Sequence, residues 1–398
     1  MKVLHLIPSV GAIRGGPSEA VLSMVKALRQ HTIDAAIVST DDDGPERLPL
    51  PTDRWVDIAG VPVRLFPRWS PPIPPLREFA YSPLLGRWLR RNLQSWDLLH
   101  VHSLFSWPSS RGMALARRQH TPYVIHCLGH LQAWSLSQSA WRKRLYLRLI
   151  EQRNLNGASA LQATSPAEAE DFARLRLRPP VLDLPLGVTI PEPLDQARTR
   201  LQEYLPELDP QAPCLLFLAR LHPKKRLECL LEALALLQQL DPQRPWQLLI
   251  AGSGDPAYER QLRSLATRLG VAARCHWLGF VSGEAKNVVL QGSDWFVLPS
   301  AAENFGVAVA EALAAGTPVV LSPEVGLAPA VAAAAAGLLS PGEPEHLART
   351  LAGVLARERS PFSAAARQLA INQYSWQAVA DRLVRAYQLI LEESRARA

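Results

Sequence analysis

Between Asp294 and Leu321 the chain spells out a strand, a loop, a helix and a second strand, the order of a β-α-β unit. Asp294-Trp-Phe-Val-Leu-Pro299 is a short apolar run closed by proline, as a buried strand is. Val307 to Ala315 is alanine-rich and ends at Gly316 and Pro318, the residues that terminate helices. Val319-Val-Leu321 then restarts the sheet. The same alternation runs through the rest of the chain and predicts parallel α/β layers.

In the first half, strands are expected at Val3–Ile7, Ala35–Ser39, Val61–Phe66, Leu98–Val101, Tyr123–Ile125 and Ala160–Ala163. Helices are expected at Ser18–Gln30 and, long and basic, at Trp141–Asn156. Pro185 to Pro191 reads as an exit from a first domain. The second half opens with strand Cys214–Leu218 and helix Leu227–Gln239, then strand Trp246–Ala251, helix Tyr258–Leu269, strand Cys275–Leu278 and helix Lys286–Gln291. Apolar residues at helical spacing fill Tyr374 to Leu391. With 398 residues the chain is long enough for two cores, set here at 1–190 and 191–371, with 372–398 as a terminal helix.

The segment that fixes the fold also carries chemistry. Gly306 lets a ligand approach bare amides at a helix start, where the dipole favours an anion such as a diphosphate. Glu303 lies in the loop, placed to accept from sugar hydroxyls, and Glu311 lies one turn into the helix, placed to accept from a ribose. Taken as an isolated pair, they read equally as a solvated loop acid and an ordinary helix acid. Arg220 and Lys225, in Ala-Arg-Leu-His-Pro-Lys-Lys-Arg-Leu-Glu, follow a strand and precede a helix. Two fixed cations there stabilise charge developing on a leaving diphosphate; a solvated basic turn is the alternative.

Ser300-Ala-Ala-Glu-Asn-Phe-Gly-Val-Ala-Val-Ala-Glu-Ala-Leu-Ala-Ala-Gly-Thr-Pro318 resembles the signature of retaining GT-B glycosyltransferases of the large family 4 type. The resemblance covers nearly the whole chain. It implies two Rossmann-like domains facing a cleft, with a C-terminal helix crossing back to the first. It also implies transfer of a sugar from a nucleoside diphosphate sugar to a sugar or lipid-linked acceptor, in cell-surface polysaccharide or glycolipid assembly. Arg220, Lys225 and Glu303 match the family's catalytic positions, and Asn304, Phe305, Gly306, Val307 and Glu311 its donor-binding segment. Gly15 and Gly16 match its glycine-rich turn after the first strand, with Arg14 beside them, and Gly252 a turn near the nucleotide. Gly279-Phe-Val281 matches the segment whose backbone meets the base. Two departures stand out. Arg226 replaces the usual glycine after the lysine, and Leu128 precedes Gly129 where a histidine or arginine is usual, flanked by His126 and His130. His126 is taken as the candidate cleft histidine, with His102 as another candidate; core packing is the alternative for both.

No metal is expected. Asp41-Asp42-Asp43 has carboxylates at a spacing that suits a divalent cation, but it precedes Gly-Pro far from the nucleotide elements and reads as a solvated turn. No cofactor is implied beyond the donor itself. A catalytically weak, nucleotide-sugar-binding GT-B protein is the alternative function. A phosphorylase would need pyridoxal phosphate, and an oxidoreductase a Gly-x-Gly-x-x-Gly that the first helix lacks.

The charge of +7 permits anionic partners, but no zinc-finger or RNP-like motif points to nucleic acid. Trp69, Trp88, Trp96 and Trp107, interspersed with Arg87, Arg90 and Arg91, instead suggest peripheral contact with a membrane. Four scattered cysteines and the absence of a signal-like start or spanning segment point to the cytoplasm, at the inner membrane face.

Overall fold

A computed structural model describes residues 1–138 and 140–397. They form two compact units: Met1–Gly187 together with the C-terminal segment from Trp376, and Val188–Ser375.

The first unit holds β1 (Lys2–Ser9), β2 (Asp34–Thr40), β3 (Asp42–Asp43), β4 (Glu46–Arg47), β5 (Trp55–Ile58), β6 (Val61–Phe66), β7 (Leu98–His102), β8 (Tyr123–His126), β9 (Ala160–Ala163) and β10 (Val181–Asp183). Eight of them make one sheet in the order β10-β9-β8-β7-β1-β2-β6-β5. Its pairings are parallel except at the edge, where β5 runs antiparallel to β6. Leu4, Leu6, Leu99, Val101, Ile125 and Leu161 pack on one face as part of a single apolar cluster. Strand alternation and register put His5, His100, His102, His126 and Gln162 side by side on the other face. The helix Trp376–Arg397 belongs to this unit, and its buried Tyr387 hydroxyl lies 2.6 Å from His100 Nδ1.

The expected long helix is a run of three pieces, Ala140–Tyr146, a π-helical turn Leu147–Glu151, and Gln152–Asn156. The tryptophan-rich passage divides in two. Trp88, Trp96 and Trp107 pack against the apolar cluster, and only Trp69 of the four is largely exposed, at 53%.

The triple aspartate is not a solvated turn. Asp41 and Asp42 are buried, and β3 and β4 pair as a small hairpin around them. Arg14 grips Asp42 with two bonds of 2.7 and 3.1 Å, and the buried Arg68 reaches the same carboxylate at 3.1 Å. Arg68 also donates to the carbonyls of Gly44 and Glu46, and its amide to Asp41. A buried guanidinium is tolerable only when paired and hydrogen-bonded in this way. Arg14 is therefore held in place by Asp42.

The second unit holds β11 (Cys214–Leu218), β12 (Gln247–Ala251), β13 (Cys275–Gly279), β14 (Trp295–Leu298), β15 (Val319–Leu321) and β16 (Gly337–Leu339). They form one parallel sheet in the order β13-β12-β11-β14-β15-β16. Parallel strands covered on both faces need continuous apolar runs, and Cys-Leu-Leu-Phe-Leu in β11 and Trp-Phe-Val-Leu in β14 supply them. From β11 the chain winds outward through β12 and β13, then returns to β14 on the other side and winds outward again. The crevice between β11 and β14 is thus the topological switch point, where open α/β sheets bind ligands beyond their strand ends.

Candidate functional site

Both strong sequence elements leave the sheet at this switch point. Arg220 and Lys225 follow β11, and Glu303 to Gly306 follow β14. Backbone bonds lock the neighbouring loops together. The Ala301 amide donates to Lys224 O at 2.9 Å, tying the two loops to each other. Glu303 donates its amide to Glu324 O and accepts from the Gly326 amide, so its carboxylate hangs from a loop fixed at both main-chain groups.

Lys225 and Glu303 are in direct ionic contact. Burial, with Lys224 and Arg220 alongside, pulls the Lys225 ammonium down to about 8. A group that titrates there is still mostly charged at neutral pH. Arg220 is exposed at the end of β11. Glu311, in the helix Val307–Ala314, is matched by a cation that sequence reading did not pick out: Lys286 Nζ donates to Glu311 Oε1 at 2.7 Å. Each signature glutamate therefore has its own lysine. Lys286 sits in the helix Gly283–Gly292 and has no motif around it, so only the fold reveals the pairing.

Gly306 takes φ 95° at the start of the helix Val307–Ala314, a left-handed conformation that glycine adopts without a steric penalty. Phe305 turns away from that loop. It is buried and packs edge-on against Tyr374 at 5.6 Å, so only its backbone can face a donor. Asn304 and Val307 are partly exposed beside it. Gly252, after β12, donates its amide to Gly279 O at 2.6 Å, and a Cβ there would run into the Ala219 carbonyl. This glycine packs two loops against each other and leaves no room for a side chain of its own. Val281 is buried, whereas its neighbour Phe280 is 77% exposed and presents the aromatic face on that loop.

The departure at Arg226 has a clear geometry. The residue sits at φ 54°, which costs a non-glycine residue about 1–2 kcal/mol and explains why glycine suits the position. Its guanidinium does not point to solvent; it hydrogen-bonds the Gly342 carbonyl.

The remaining expected positions lie in the first unit. Gly15 and Gly16 are exposed at the start of the helix Gly16–Gln30, with open space where side chains would be. His126 is fully buried, its Nδ1 3.3 Å from His102 Nδ1, and burial lowers it to about 3. His102 is buried too, 3.0 Å from His5 Nδ1. The two are neutral interior side chains. Strand register accounts for this, since β7 and β8 aim both at the covered face of the sheet.

Comparison with known proteins matches residues 206–387 to the model of "Glycosyl transferases group 1" and residues 15–187 to that of "Glycosyl transferase 4-like domain". A D-inositol 3-phosphate glycosyltransferase of Geodermatophilus obscurus is 33% identical, over 76% of this chain and 68% of its own. The chain belongs to the group 1 glycosyl transferases. This glycosyltransferase also shares its fold with sucrose-phosphate synthase from Thermosynechococcus elongatus. The TM-score is 0.78 at 21% identity, covering 99% of this chain and 100% of that one. Anabaena HepE in complex with UDP-glucose is similar at TM-score 0.71 and 21% identity, covering 98% and 99% of the two chains. The glycosyltransferase thus has the GT-B pair of Rossmann-like units that its strand order describes.

Proposed function

We propose that this glycosyltransferase moves a sugar, with retention at the anomeric carbon, from a nucleoside diphosphate sugar to a hydroxyl of a sugar or lipid-linked acceptor. The observation that carries the reading is the Lys225–Glu303 contact at the switch point of the second sheet. A cation suited to a diphosphate and a carboxylate suited to sugar hydroxyls meet there, the two kinds of group that a donor of this class needs. The complex of HepE with UDP-glucose and the inositol phosphate glycosyltransferase relatives support a donor of this class.

In this scheme Arg220, Lys225 and the amides at Gly306 and Val307 hold the diphosphate, and Glu303 holds the sugar. The bond from the anomeric carbon to the phosphate oxygen breaks with its electron pair going to the diphosphate. The acceptor oxygen bonds to the same face of that carbon, and its proton passes to the departing phosphate oxygen. Positive charge from the chain itself meets the charge that develops, so no metal is assigned a step. Donor binding would exchange Lys225 from Glu303 to the diphosphate and Glu311 from Lys286 to the ribose. Cell-surface polysaccharide or glycolipid assembly, with peripheral attachment at the inner membrane face, is the setting proposed. No helix among the described residues is long and apolar enough to cross a membrane. A nucleotide-sugar-binding protein with weak turnover is the second reading, favoured by Leu128 before Gly129 and the burial of His126.

The test is release of free nucleotide from a panel of UDP-, GDP- and ADP-sugars, with and without EDTA. Turnover of one donor, unchanged by EDTA, is expected. If no donor turns over, with or without acceptors, while nucleotide still binds, the second reading replaces the first. Glu311→Ala is expected to weaken nucleotide binding roughly tenfold, the size of one lost hydrogen bond to a charged group. Calorimetry showing full affinity would remove the ribose role. Turnover is also expected to fall as pH rises past about 8, where Lys225 loses its proton. In Lys225→Arg the guanidinium stays charged, and whatever rate survives should no longer fall over that range.

A further inference from the structure

The run 140–156 is anchored on one side and bare on the other. Glu151 is fully buried, accepting from Ser110 Oγ at 2.7 Å and Asn154 Nδ2 at 3.2 Å. The Tyr146 and Ser110 hydroxyls are 2.8 Å apart, and Tyr123 donates to Asn154 O at 2.6 Å. Leu155 is fully buried in the apolar cluster. These contacts hold the run against the first unit and leave its far side to solvent.

That far side is not polar. Trp141, Leu145 and Leu149 recur every fourth residue and are 68%, 51% and 68% exposed. Exposed Arg142, Arg144 and Arg148 flank them, and no acidic residue occurs between Gln132 and Ile150. Single exposed leucines are ordinary, but a helical stripe of large apolar groups flanked by arginines is not. The apolar surface also extends beyond this run. Phe79 packs edge-on against Tyr146 at 5.9 Å and lines an open groove of about 610 Å³ with Trp69, Leu76, Tyr81 and Pro83.

We propose that the Trp141–Leu145–Leu149 stripe and its arginines form a surface that docks on an anionic lipid bilayer. Charge complementarity selects this occupant. An uncharged groove on another protein would satisfy the apolar stripe alone, and a nucleic acid would satisfy the arginines alone. An anionic bilayer offers phosphates at the depth of the arginines and hydrocarbon at the depth of Trp141 and Leu149. The assignment refines the peripheral attachment proposed above and rests on that reading, but moves the contact away from the mostly packed tryptophans of residues 64–107.

The experiment is co-sedimentation of the full chain with phosphatidylcholine vesicles, with and without phosphatidylglycerol. Binding to the anionic vesicles is expected to be at least roughly tenfold tighter and to weaken with salt. A variant carrying Trp141→Ser, Leu145→Ser and Leu149→Ser should lose roughly tenfold or more on those vesicles, because its apolar anchor is gone. Brominated lipids should quench wild-type fluorescence more than that of Trp141→Phe. No binding to anionic vesicles, or serine-variant binding equal to wild type, overturns the proposal. Equal binding would mark attraction by charge alone, as any polyanion gives. Nucleotide titration of the same preparations separates the two readings. Intact nucleotide binding without vesicle binding removes only the membrane surface, and loss of nucleotide binding counts against the donor site instead.

Discussion

Glu303→Ala is expected to abolish most sugar transfer while leaving nucleotide affinity nearly intact. Its carboxylate is assigned to the sugar, and the sugar's hydroxyls gain acidity as the anomeric carbon becomes cationic. Removing one such preorganised group typically costs about 10²–10³ in kcat. The loop should survive the change, because its place is set by main-chain bonds to Glu324 and Gly326 and not by the carboxylate. Glu303→Gln sharpens the test, since it keeps an acceptor but cancels the ion pair with Lys225. A glutamine variant as slow as the alanine variant would show that charge is what acts. Unchanged kcat in Glu303→Ala would take the residue out of the mechanism.

The second large effect is expected at Lys225. Lys225→Ala removes a cation from the leaving diphosphate and leaves Glu303 without its partner, so about 10²–10³ in kcat/KM should be lost. Unlike the Glu303 change, it should weaken nucleotide binding as well, because the phosphate contact exists before the bond breaks. Arg220 is assigned to the same phosphates, so the double substitution should cost less than the product of the single ones. Strict additivity between Arg220→Ala and Lys225→Ala would place the two cations on different groups.

The fold was legible wherever a strand had to be apolar along its whole length. The expected strands from Val3–Ile7 to Val319–Leu321 all fall on strands of the two sheets, within a residue or two at their ends. Elements whose pairing depends on a partner were not visible, among them the antiparallel edge β5, the hairpin β3–β4 and the short β10 and β16. At the site, the glutamate segment and the Arg220–Lys225 loop could be read because glycine, proline and charge sit at fixed places around them. Lys286 could not, being one lysine on a surface helix until the fold sets it against Glu311. The burial of His126 and Asp42 could not be read either. Both residue types suggest water and ligands, and both are buried here by partners distant in sequence, His102 for one and Arg68 for the other. Arg226 was legible as an oddity, but its left-handed backbone and its bond to Gly342 belong to the structure alone.

Synthesis order sets a constraint on how this chain comes to its native state. The Val188 amide donates to Tyr374 O at 2.7 Å, so the second unit begins and ends at one spot and contains everything it needs between. The first unit is interrupted. Its sheet precedes the second unit in the chain, yet the helix carrying Tyr387 follows that unit. Until that helix arrives, His100 lacks the Tyr387 ring that packs against it in the native chain. Domains tend to fold as units during synthesis, and the earlier one usually completes first. Here the order inverts: the second unit can finish while the first waits for the helix Trp376–Arg397. Chains truncated before Trp376 should therefore hold a finished second unit and an unfinished first one, the form in which a chaperone would meet this protein.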